Sequence, residues 1–102
     1  MPLRSQFHPR ALAEFQKLDS EVQRRIRRAV IELEQLDDAR MRLVPYEANL
    51  HGFWKLRVGD YRLVCEIRRA DRGQLVLIVH VVHRREAYSG RSIGAVKRRS
   101  QD

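Results

Sequence analysis

The spacing of apolar residues in the first third of the chain predicts one strand followed by two helices. Apolar and polar residues alternate over residues 3–7, as in a short strand. A first helix is expected to begin at Pro9, and a second helix is expected to follow Asp19 and Ser20, which are favourable N-caps. The apolar positions at helical spacing are Ala11, Leu12, Phe15 and Leu18 in the first segment, and Val22, Ile26, Ala29, Val30, Leu33 and Leu36 in the second. Both segments are therefore predicted to be amphipathic helices with one buried stripe.

Three apolar runs in the second half of the chain predict a meander of strands. They follow residues 37–52, which have no clear period and are expected to form a loop. The runs cover residues 53–58, 61–68 and 74–82. Gly59 and Asp60 are expected to form a two-residue hairpin turn, and residues 70–73 a bulged turn before the third run. Strands joined by such short turns are antiparallel.

The order of these elements predicts an α+β domain. Two N-terminal helices are expected to pack on one face of a mostly antiparallel four-stranded sheet, with the other face left for solvent or a ligand. The chain length suits one such domain, expected over residues 1–88. Residues 89–102 are rich in Gly, Ser and Arg and are expected to form a basic tail that is either flexible or a short helix.

The predicted hairpin places two arginines opposite one another. With Gly59 and Asp60 as the turn, Arg57 pairs with Arg62, and side chains alternate between the two faces of the sheet. One face of the hairpin is apolar and is expected to lie under the helices. The other face carries Lys55, Arg57, Arg62, Val64, Glu66 and Arg68. Like charges that face each other on a sheet cost about 0.2–1 kcal/mol, and sequences keep such conflicts where a ligand supplies the opposite charge.

The third run extends both faces if a bulged connection keeps them aligned. Leu75, Leu77, Val79 and Val81 would then join the apolar face, and Val76, Ile78, His80, Val82 and Arg84 would join the basic face. Arg62 would lie between Arg57 and His80. The planar guanidinium group suits phosphate oxygens, and clustered cations stabilise the charged transition state of phosphodiester cleavage. The basic face is therefore a candidate phosphate-binding surface; the alternative is a merely solvated surface.

The charge balance points to a polyanionic partner. The chain has 21 Lys and Arg against 13 Asp and Glu, a net charge of +8 and a pI near 10.7. Nucleic acid is the first candidate, and an acidic protein is a second candidate that is compatible with the first. No segment approaches the length of a membrane-spanning helix, and the N-terminal MPLRSQFHPR lacks the apolar core of a signal peptide. A cytoplasmic protein without a membrane partner is expected.

The sequence contains no recognisable motif for binding a metal or a cofactor. Cys65 is the one cysteine, which excludes an internal disulfide and a Cys-based zinc site and favours a buried packing role. His80 and His83 are expected to point to opposite faces of a strand, and neither a Gly-rich phosphate loop nor a nucleophile elbow is present. No metal and no cofactor are expected.

Two segments together resemble the RelE/ParE superfamily of bacterial type II toxins, and most closely its RelE branch. They are NLHGFWKLRVGDYRLVCEI, residues 49–67, and VVHRREAY, residues 81–88. The resemblance implies a β-α-α-β-β-β toxin that is monomeric alone and is neutralised in a hetero-oligomer with a cognate acidic antitoxin. It also implies metal-independent mRNA cleavage on the ribosome. In that branch the RNA 2′-OH attacks the adjacent phosphate and leaves a 2′,3′-cyclic phosphate and a free 5′-OH.

The resemblance assigns roles to individual residues of both segments. The positions that match the catalytic residues are Lys55, Arg62, Arg84 (or its neighbour Arg85) and Tyr88, and those expected to contact RNA are Arg57, His80, His83 and Arg85. Lys55 or Tyr88 would deprotonate or orient the 2′-OH, and Tyr88 would also stack on a base. Arg62 would hold the phosphate and its developing charge, and Arg84 would assist the leaving oxygen.

The chain departs from the family pattern at two positions. Phe53 stands where some relatives have a second lysine. Val44 stands before Pro45 where a sister branch has a glutamate, which in that branch pairs with a C-terminal histidine. His83 is therefore a further candidate for the general base, because an imidazole can accept a proton at neutral pH.

Two other functions are compatible with the same resemblance. One is the ParE type of toxin, which poisons DNA gyrase without chemistry of its own. The other is an inactive homologue that survives as an antitoxin-binding module. The basic face with Arg62, Arg84 and Tyr88 aligned favours the nuclease, although ParE relatives also carry basic residues.

Overall fold

Five strands and three α-helices build the domain in the computed structural model, which describes residues 3–102. The elements are β1 (Arg4–Phe7), α1 (Pro9–Gln16), α2 (Ser20–Glu34), β2 (Val44–Pro45), β3 (Trp54–Val58), β4 (Tyr61–Ala70), β5 (Gly73–His83) and α3 (Gly90–Ser100). The strand order is β1-β5-β4-β3-β2, and only the β1–β5 pair is parallel. The first two residues of the predicted domain lie outside the described residues. Within residues 3–102 no helix is both long and apolar enough to cross a membrane.

The predicted α+β class is confirmed, with five strands in place of four. The additional strand is β2, which lies within the segment predicted to be a loop and pairs Val44 with Lys55 and Pro45 with Trp54. Two residues at the edge of a sheet leave almost no periodic signal in a sequence. Pro45 is tolerated there because an edge strand does not need every backbone N–H for pairing.

The β3–β4 hairpin has the predicted register. Arg57 pairs with Arg62 and Val58 with Tyr61 across the turn. Gly59 takes a φ of 57°, in the left-handed region that glycine enters without steric cost. Because the turn sets the register of a two-residue hairpin, the faces of β3 and β4 next to the turn follow directly from the sequence.

The helices α1 and α2 cover one face of the sheet with the main core. The buried residues of this core are Leu3, Ala11, Phe15, Ile26, Val30, Leu33, Ala39, Leu43, Leu56, Leu63, Cys65, Val76, Ile78 and Val81. The predicted packing role of Cys65 is consistent with its complete burial, which raises the pKa of the thiol to about 12. An apolar interior disfavours a thiolate and so makes this cysteine unreactive at neutral pH.

A bulge inside the β4–β5 pair reverses part of the predicted division of faces. Val64 pairs with His80, but Cys65 pairs with Ile78, so Val79 is skipped. As a result Val76 and Ile78 lie in the core under α1 and α2, whereas Leu77 and Val79 lie in a second cluster. The prediction for these four residues was wrong, because it placed the irregularity in the turn. In fact Ala70 pairs with Gly73, which leaves an ordinary two-residue turn.

The second face of the sheet is covered in part by α3, and the expectation of an open face is wrong there. Residues 90–100 of the basic tail form this helix. Val96 of α3 joins the second cluster, whose other buried members are Tyr46, Leu50, Phe53, Val64, Leu77 and Val79. Ser89 caps the helix by accepting a hydrogen bond from the Ser92 amide at 3.1 Å. Burial of Val96 and Ala95 explains why the segment folds as a helix on the sheet.

Polar side chains tie α1 and α3 to the edge of β5 beyond the end of β1. We call Glu14, His80, Ser92 and Arg99 the edge network. The Glu14 carboxylate accepts from the Val81 amide at 3.0 Å and from Arg99 through both of its oxygens, each at 3.0 Å. Arg99 also donates to the Val79 carbonyl at 2.9 Å. Backbone groups that no strand pairs are thereby satisfied by side chains.

Candidate functional site

A cavity of about 240 Å³ opens beside the β3–β4 hairpin. Its lining residues are Tyr46, Lys55, Arg57, Arg62, Arg84, Ala87 and Tyr88. We call it the hairpin cavity. It contains all four positions that the family resemblance marks as catalytic, together with Arg57. The lining has four cationic side chains and no carboxylate, which makes the hairpin cavity a strong candidate for binding an anion.

Larger cavities elsewhere are less suited to an anion. One of about 610 Å³ lies at the far end of the β4–β5 hairpin, where Arg40 pairs with Asp38 and Arg68 pairs with Glu66. Another of about 450 Å³ lies between α1, α3 and β5 and contains the edge network. Carboxylates neutralise cations in both. In the hairpin cavity, among the described residues, only Arg84 has a carboxylate within 4 Å, that of Asp60 at 3.6 Å.

The backbone of the hairpin turn holds Arg62 in place. Its Nη1 donates to the carbonyl oxygens of Gly59 and Tyr61, each at 3.0 Å. These two bonds orient the planar guanidinium group and leave its other N–H groups for a ligand. Arg57 lies opposite on β3 and is exposed. Both guanidinium groups therefore line the cavity. Arg62 is held by the turn, and Arg57 is exposed to solvent.

Arg84 enters the cavity from the end of β5. Its amide donates to the Asp60 carbonyl at 2.8 Å, which joins the strand end to the hairpin turn. A short 3₁₀ turn over residues 84–86 follows, and its cap is the His83 ring, whose Nδ1 accepts from the Arg85 amide at 3.2 Å. This turn brings Tyr88, four residues after Arg84, back to the cavity wall.

Two tyrosines and a lysine form the opposite wall. The Lys55 ammonium lies 5.2 Å from the centre of the Tyr46 ring, and the Tyr88 ring meets Tyr46 edge to face at 6.0 Å. Tyr46 is 4% exposed, and within residues 3–102 its hydroxyl has no hydrogen-bond partner. Burial raises the pKa of the Tyr46 hydroxyl well above its ordinary value. Tyr88 is 64% exposed and can meet a base from solvent.

The histidines expected to contact RNA lie away from the hairpin cavity. His80 is 6% exposed, and its ring nitrogens lie 3.1 Å from Glu14 and 3.0 Å from Ser92. The prediction that His80 belongs to an open basic surface is wrong, because α3 covers that part of the sheet. His83 packs edge to face on Tyr61 at 5.3 Å and caps the 3₁₀ turn. His83 and the exposed Arg85 do not line the cavity, and their contact with RNA stays a prediction.

Two cavity residues, Tyr46 and Ala87, were not indicated by the sequence, and Tyr46 is the one with a functional side chain. It follows Pro45 in a segment without a period, and a single aromatic residue in a loop carries no functional signal. It reaches the cavity because the Tyr46 amide donates to the Phe53 carbonyl at 3.0 Å, which continues the β2–β3 pairing by one residue.

Within residues 3–102, no group of three or more His, Cys, Asp or Glu side chains is arranged to hold a metal ion.

Comparison with known families now connects this geometry to a class of protein. A family model described as the ParE toxin of type II toxin–antitoxin systems, parDE, matches residues 6–88. The chain belongs to this toxin family. The predicted membership of the RelE/ParE superfamily is therefore confirmed. A comparison with curated protein sequences gives no match.

Solved structures of RelE toxins resemble this toxin over most of its length. One is a double mutant of the E. coli toxin RelE in the free state, with 26% identity and a TM-score of 0.67, covering 96% of this chain and 98% of that chain. Another belongs to the toxin–antitoxin complex RelBE2 from Mycobacterium tuberculosis, with 25% identity and a TM-score of 0.67, covering 82% and 93%. A YoeB/ParE toxin from Agrobacterium tumefaciens, with 14% identity, a TM-score of 0.58 and coverage of 81% and 98%, shares the fold. These likenesses confirm the RelE-like architecture.

Proposed function

We propose that this type II toxin is a ribosome-dependent endonuclease that cleaves mRNA by attack of a 2′-OH on the adjacent phosphate. The observation that carries the proposal is the convergence of Lys55, Arg57, Arg62 and Arg84 on one cavity without a lining carboxylate. Only Arg84 of this cluster has a carboxylate nearby among the described residues, that of Asp60 at 3.6 Å, so most of the positive charge is left for a phosphate group. The structural likeness to RelE toxins supports the same assignment.

The proposed reaction needs positive charge more than it needs any other group. The 2′-oxygen forms a bond to phosphorus while the bond from phosphorus to the 5′-oxygen breaks. The 2′-OH proton goes to a base, and the leaving 5′-oxygen takes up a proton. The products are a 2′,3′-cyclic phosphate and a 5′-OH end. Extra negative charge develops on the phosphoryl oxygens in the transition state. Preorganised hydrogen-bond donors stabilise this charge most effectively in a site that excludes water.

Each cavity residue has a role that fits its position. Arg62 holds the scissile phosphate and its developing charge, since its guanidinium is already oriented by two backbone carbonyls. Lys55 or Tyr88 helps to orient or deprotonate the 2′-OH, where Lys55 orients it as an ammonium and takes its proton only as a neutral amine, and Arg84 assists the leaving oxygen. The exposed Tyr88 ring also stacks on a base. Arg57 binds a neighbouring phosphate.

The test of the proposal is cleavage of mRNA on programmed ribosomes by the purified toxin. We expect shortened mRNA with a 2′,3′-cyclic phosphate end, and a loss of about 100-fold or more in Arg62→Ala. Arg28→Ala is a matched control, because it removes the same charge from the exposed face of α2 and should leave cleavage unchanged. Thermal unfolding of both variants checks that each of them is folded. Intact mRNA with the wild-type toxin, or equal activity of Arg62→Ala, would contradict the nuclease.

An acidic antitoxin is the proposed protein partner, and it would cover the hairpin cavity and the basic α3. The net charge of +8 supports this partner. So do the similar toxin chains that were solved in RelBE complexes. We expect the toxin alone to be monomeric and to act in the cytoplasm, where ribosomes and mRNA are found. Binding of the antitoxin with Lys55, Arg62 and Arg84 still accessible would contradict simple occlusion and favour displacement of α3.

Poisoning of DNA gyrase is the second candidate function, and the observation behind it is that the matching family model is described as a ParE toxin. The discriminating observation is a stalled gyrase–DNA complex in the presence of intact mRNA. An inactive antitoxin-binding module would give neither product. If the wild-type toxin does not cleave mRNA and Arg62→Ala only lowers its affinity for RNA, the basic surface is merely solvated.

A further inference from the structure

Tyr46 occupies a place in the hairpin cavity that nothing in the family resemblance assigns. Its backbone continues the edge strand β2 through the bond to the Phe53 carbonyl. Its ring belongs to the buried cluster that includes Val64 and Val96. One side chain therefore joins the apolar interior beneath α3 to the charged wall of the cavity. A ring held in this way has little freedom to reorient.

The Tyr46 ring is the contact that defines the position of Lys55. The ammonium lies 5.2 Å from the ring centre, within the range of a cation–π interaction. Among the described residues, no carboxylate lies within ion-pair distance of Lys55. A lysine side chain has four rotatable bonds and keeps its ammonium in one place only if something binds it. The Tyr88 ring also contacts the Tyr46 ring, edge to face at 6.0 Å.

We propose that Tyr46 is a positioning residue, which holds the Lys55 ammonium where the 2′-OH of the RNA is activated. The catalytic consequence rests on the nuclease proposed above. The ring, not the hydroxyl, carries this role, because the cation lies against the ring and the hydroxyl has no partner within the described residues. Phenylalanine therefore preserves the function and leucine removes it.

A double-mutant cycle on the full-length toxin tests the proposal. Its readout is the rate of mRNA cleavage on programmed ribosomes, per folded molecule. Loss of a partly desolvated cation–π contact corresponds to about a tenfold effect. We expect Tyr46→Leu to slow cleavage about tenfold and Tyr46→Phe to stay within about twofold of the wild type. In a Lys55→Met background, the added Tyr46→Leu substitution should slow cleavage by less than about twofold relative to Lys55→Met alone.

An Arg84→Ala background is the matched control for the cycle. Arg84 lines the same cavity without a ring contact to Tyr46, so Tyr46→Leu should keep its full tenfold effect there. An equal loss in the Lys55→Met and Arg84→Ala backgrounds would show a general structural role and overturn the proposal. A loss in Tyr46→Phe as large as in Tyr46→Leu would also overturn it, because the hydroxyl would then be the active group.

A second measurement separates failure of this inference from failure of the nuclease. The Lys55 nitrogen lies over the Tyr46 ring at 5.2 Å, so the NMR signals of the adjacent methylene protons should be displaced upfield by the ring current. The displacement should persist in Tyr46→Phe and vanish in Tyr46→Leu. A toxin that leaves mRNA intact but shows this pattern overturns the nuclease and supports the positioning of Lys55. Cleavage by a wild-type toxin with undisplaced Lys55 signals overturns the positioning alone.

Discussion

Arg57 and Arg62 face each other across the β3–β4 hairpin although their charges repel. The two residues differ in how they are held, since Arg62 donates to two backbone carbonyls and Arg57 is exposed. The opposition costs about 0.2–1 kcal/mol in the free toxin, a cost that a bound phosphate would remove. At the scale of single residues, the arrangement of the site therefore lowers the stability of the free protein.

Arg57→Gln is expected to stabilise the free toxin while weakening its contact with RNA. The free energy of unfolding should rise by about 0.2–1 kcal/mol, because the cross-strand repulsion disappears. Thermal or urea unfolding at low salt measures this gain, which should shrink at high salt as the charges are screened. Arg28→Gln serves as the control and should not show the same salt-dependent gain. A destabilised Arg57→Gln variant would contradict the prediction.

The edge network decides how α1 and α3 are fastened to the sheet. Burial alone would raise the pKa of Glu14, but hydrogen bonds with His80, Arg99 and the Val81 amide outweigh it and lower the pKa to about 2. The charged carboxylate is therefore the form that the fold binds. Loss of this charge leaves the largely buried Arg99 without its partner and loosens the helix that covers the second face of the sheet.

Glu14→Gln is expected to lower the free energy of unfolding by about 1–3 kcal/mol at pH 7, since charge-assisted hydrogen bonds are lost while the shape is kept. Urea unfolding measures the change. Glu21→Gln is the control: its carboxylate is 62% exposed in an ion pair with Arg24, so its effect should stay below about 0.5 kcal/mol. Equal effects of the two substitutions would contradict the role of the edge network.

The same carboxylate predicts how stability depends on acidity. Because the pKa of Glu14 is lowered from 4.5 to about 2 on folding, its contribution is complete above pH 4.5 and is lost as the pH falls towards 2. The contribution is about 1–2 kcal/mol after allowance for solvent screening of a partly exposed group. Unfolding measured between pH 5 and pH 2 should show a flatter profile in Glu14→Gln than in the wild type.

At the scale of the whole molecule, the proposed function predicts that the excess of positive charge attracts RNA before the cavity recognises it. A net charge of +8 accelerates association with polyanions and makes binding sensitive to salt. The four cations of the hairpin cavity, of which only Arg84 lies near a carboxylate among the described residues, add to this general attraction at one place. The toxin is therefore expected to bind many RNAs weakly, while cleavage depends on the geometry of the hairpin cavity.

Removal of one cavity cation should change the salt dependence by a defined amount. We expect Arg84→Ala to reduce the slope of log affinity against log salt by about 0.7, the value for one phosphate contact on single-stranded RNA. Binding of an oligonucleotide with a 2′-deoxy residue at the cleavage position measures the slope without reaction. Arg69→Ala, an exposed arginine outside the hairpin cavity, is the comparison. An unchanged slope in Arg84→Ala would show that Arg84 does not contact phosphate.

The hairpin and the first two helices follow from local rules. A two-residue turn at Gly59 and Asp60 sets the partners of β3 and β4, so the opposition of Arg57 and Arg62 can be derived without coordinates. The convergence of Arg84 and Tyr88 on the same hairpin cannot be derived in this way. Alternation of faces placed Arg84 on the basic side, and only the family resemblance placed Tyr88 there. In the structure a 3₁₀ turn and the bond to the Asp60 carbonyl bring both residues to the hairpin.

Long-range packing decided the features that the patterns missed. The bulge at Val64 moves Val76 and Ile78 to one face and Leu77 and Val79 to the other, yet it leaves the alternation of the strand intact in the sequence. His80 is buried because α3 folds over the strand, which a basic tail does not indicate by itself. In each case the competing arrangements differ in contacts between segments distant along the chain.

The sequence by itself determined the class of fold, the register of the β3–β4 hairpin and the excess of basic residues on one side of it. These properties depend on neighbours a few residues apart, whose periodicity and turn chemistry are local. Only the tertiary structure decided that Tyr46 meets Lys55, that His80 is withdrawn into the edge network, and that α3 covers part of the second face. Contacts between distant segments depend on how apolar surfaces are shared when the whole chain packs, and local periodicity contains no record of that choice.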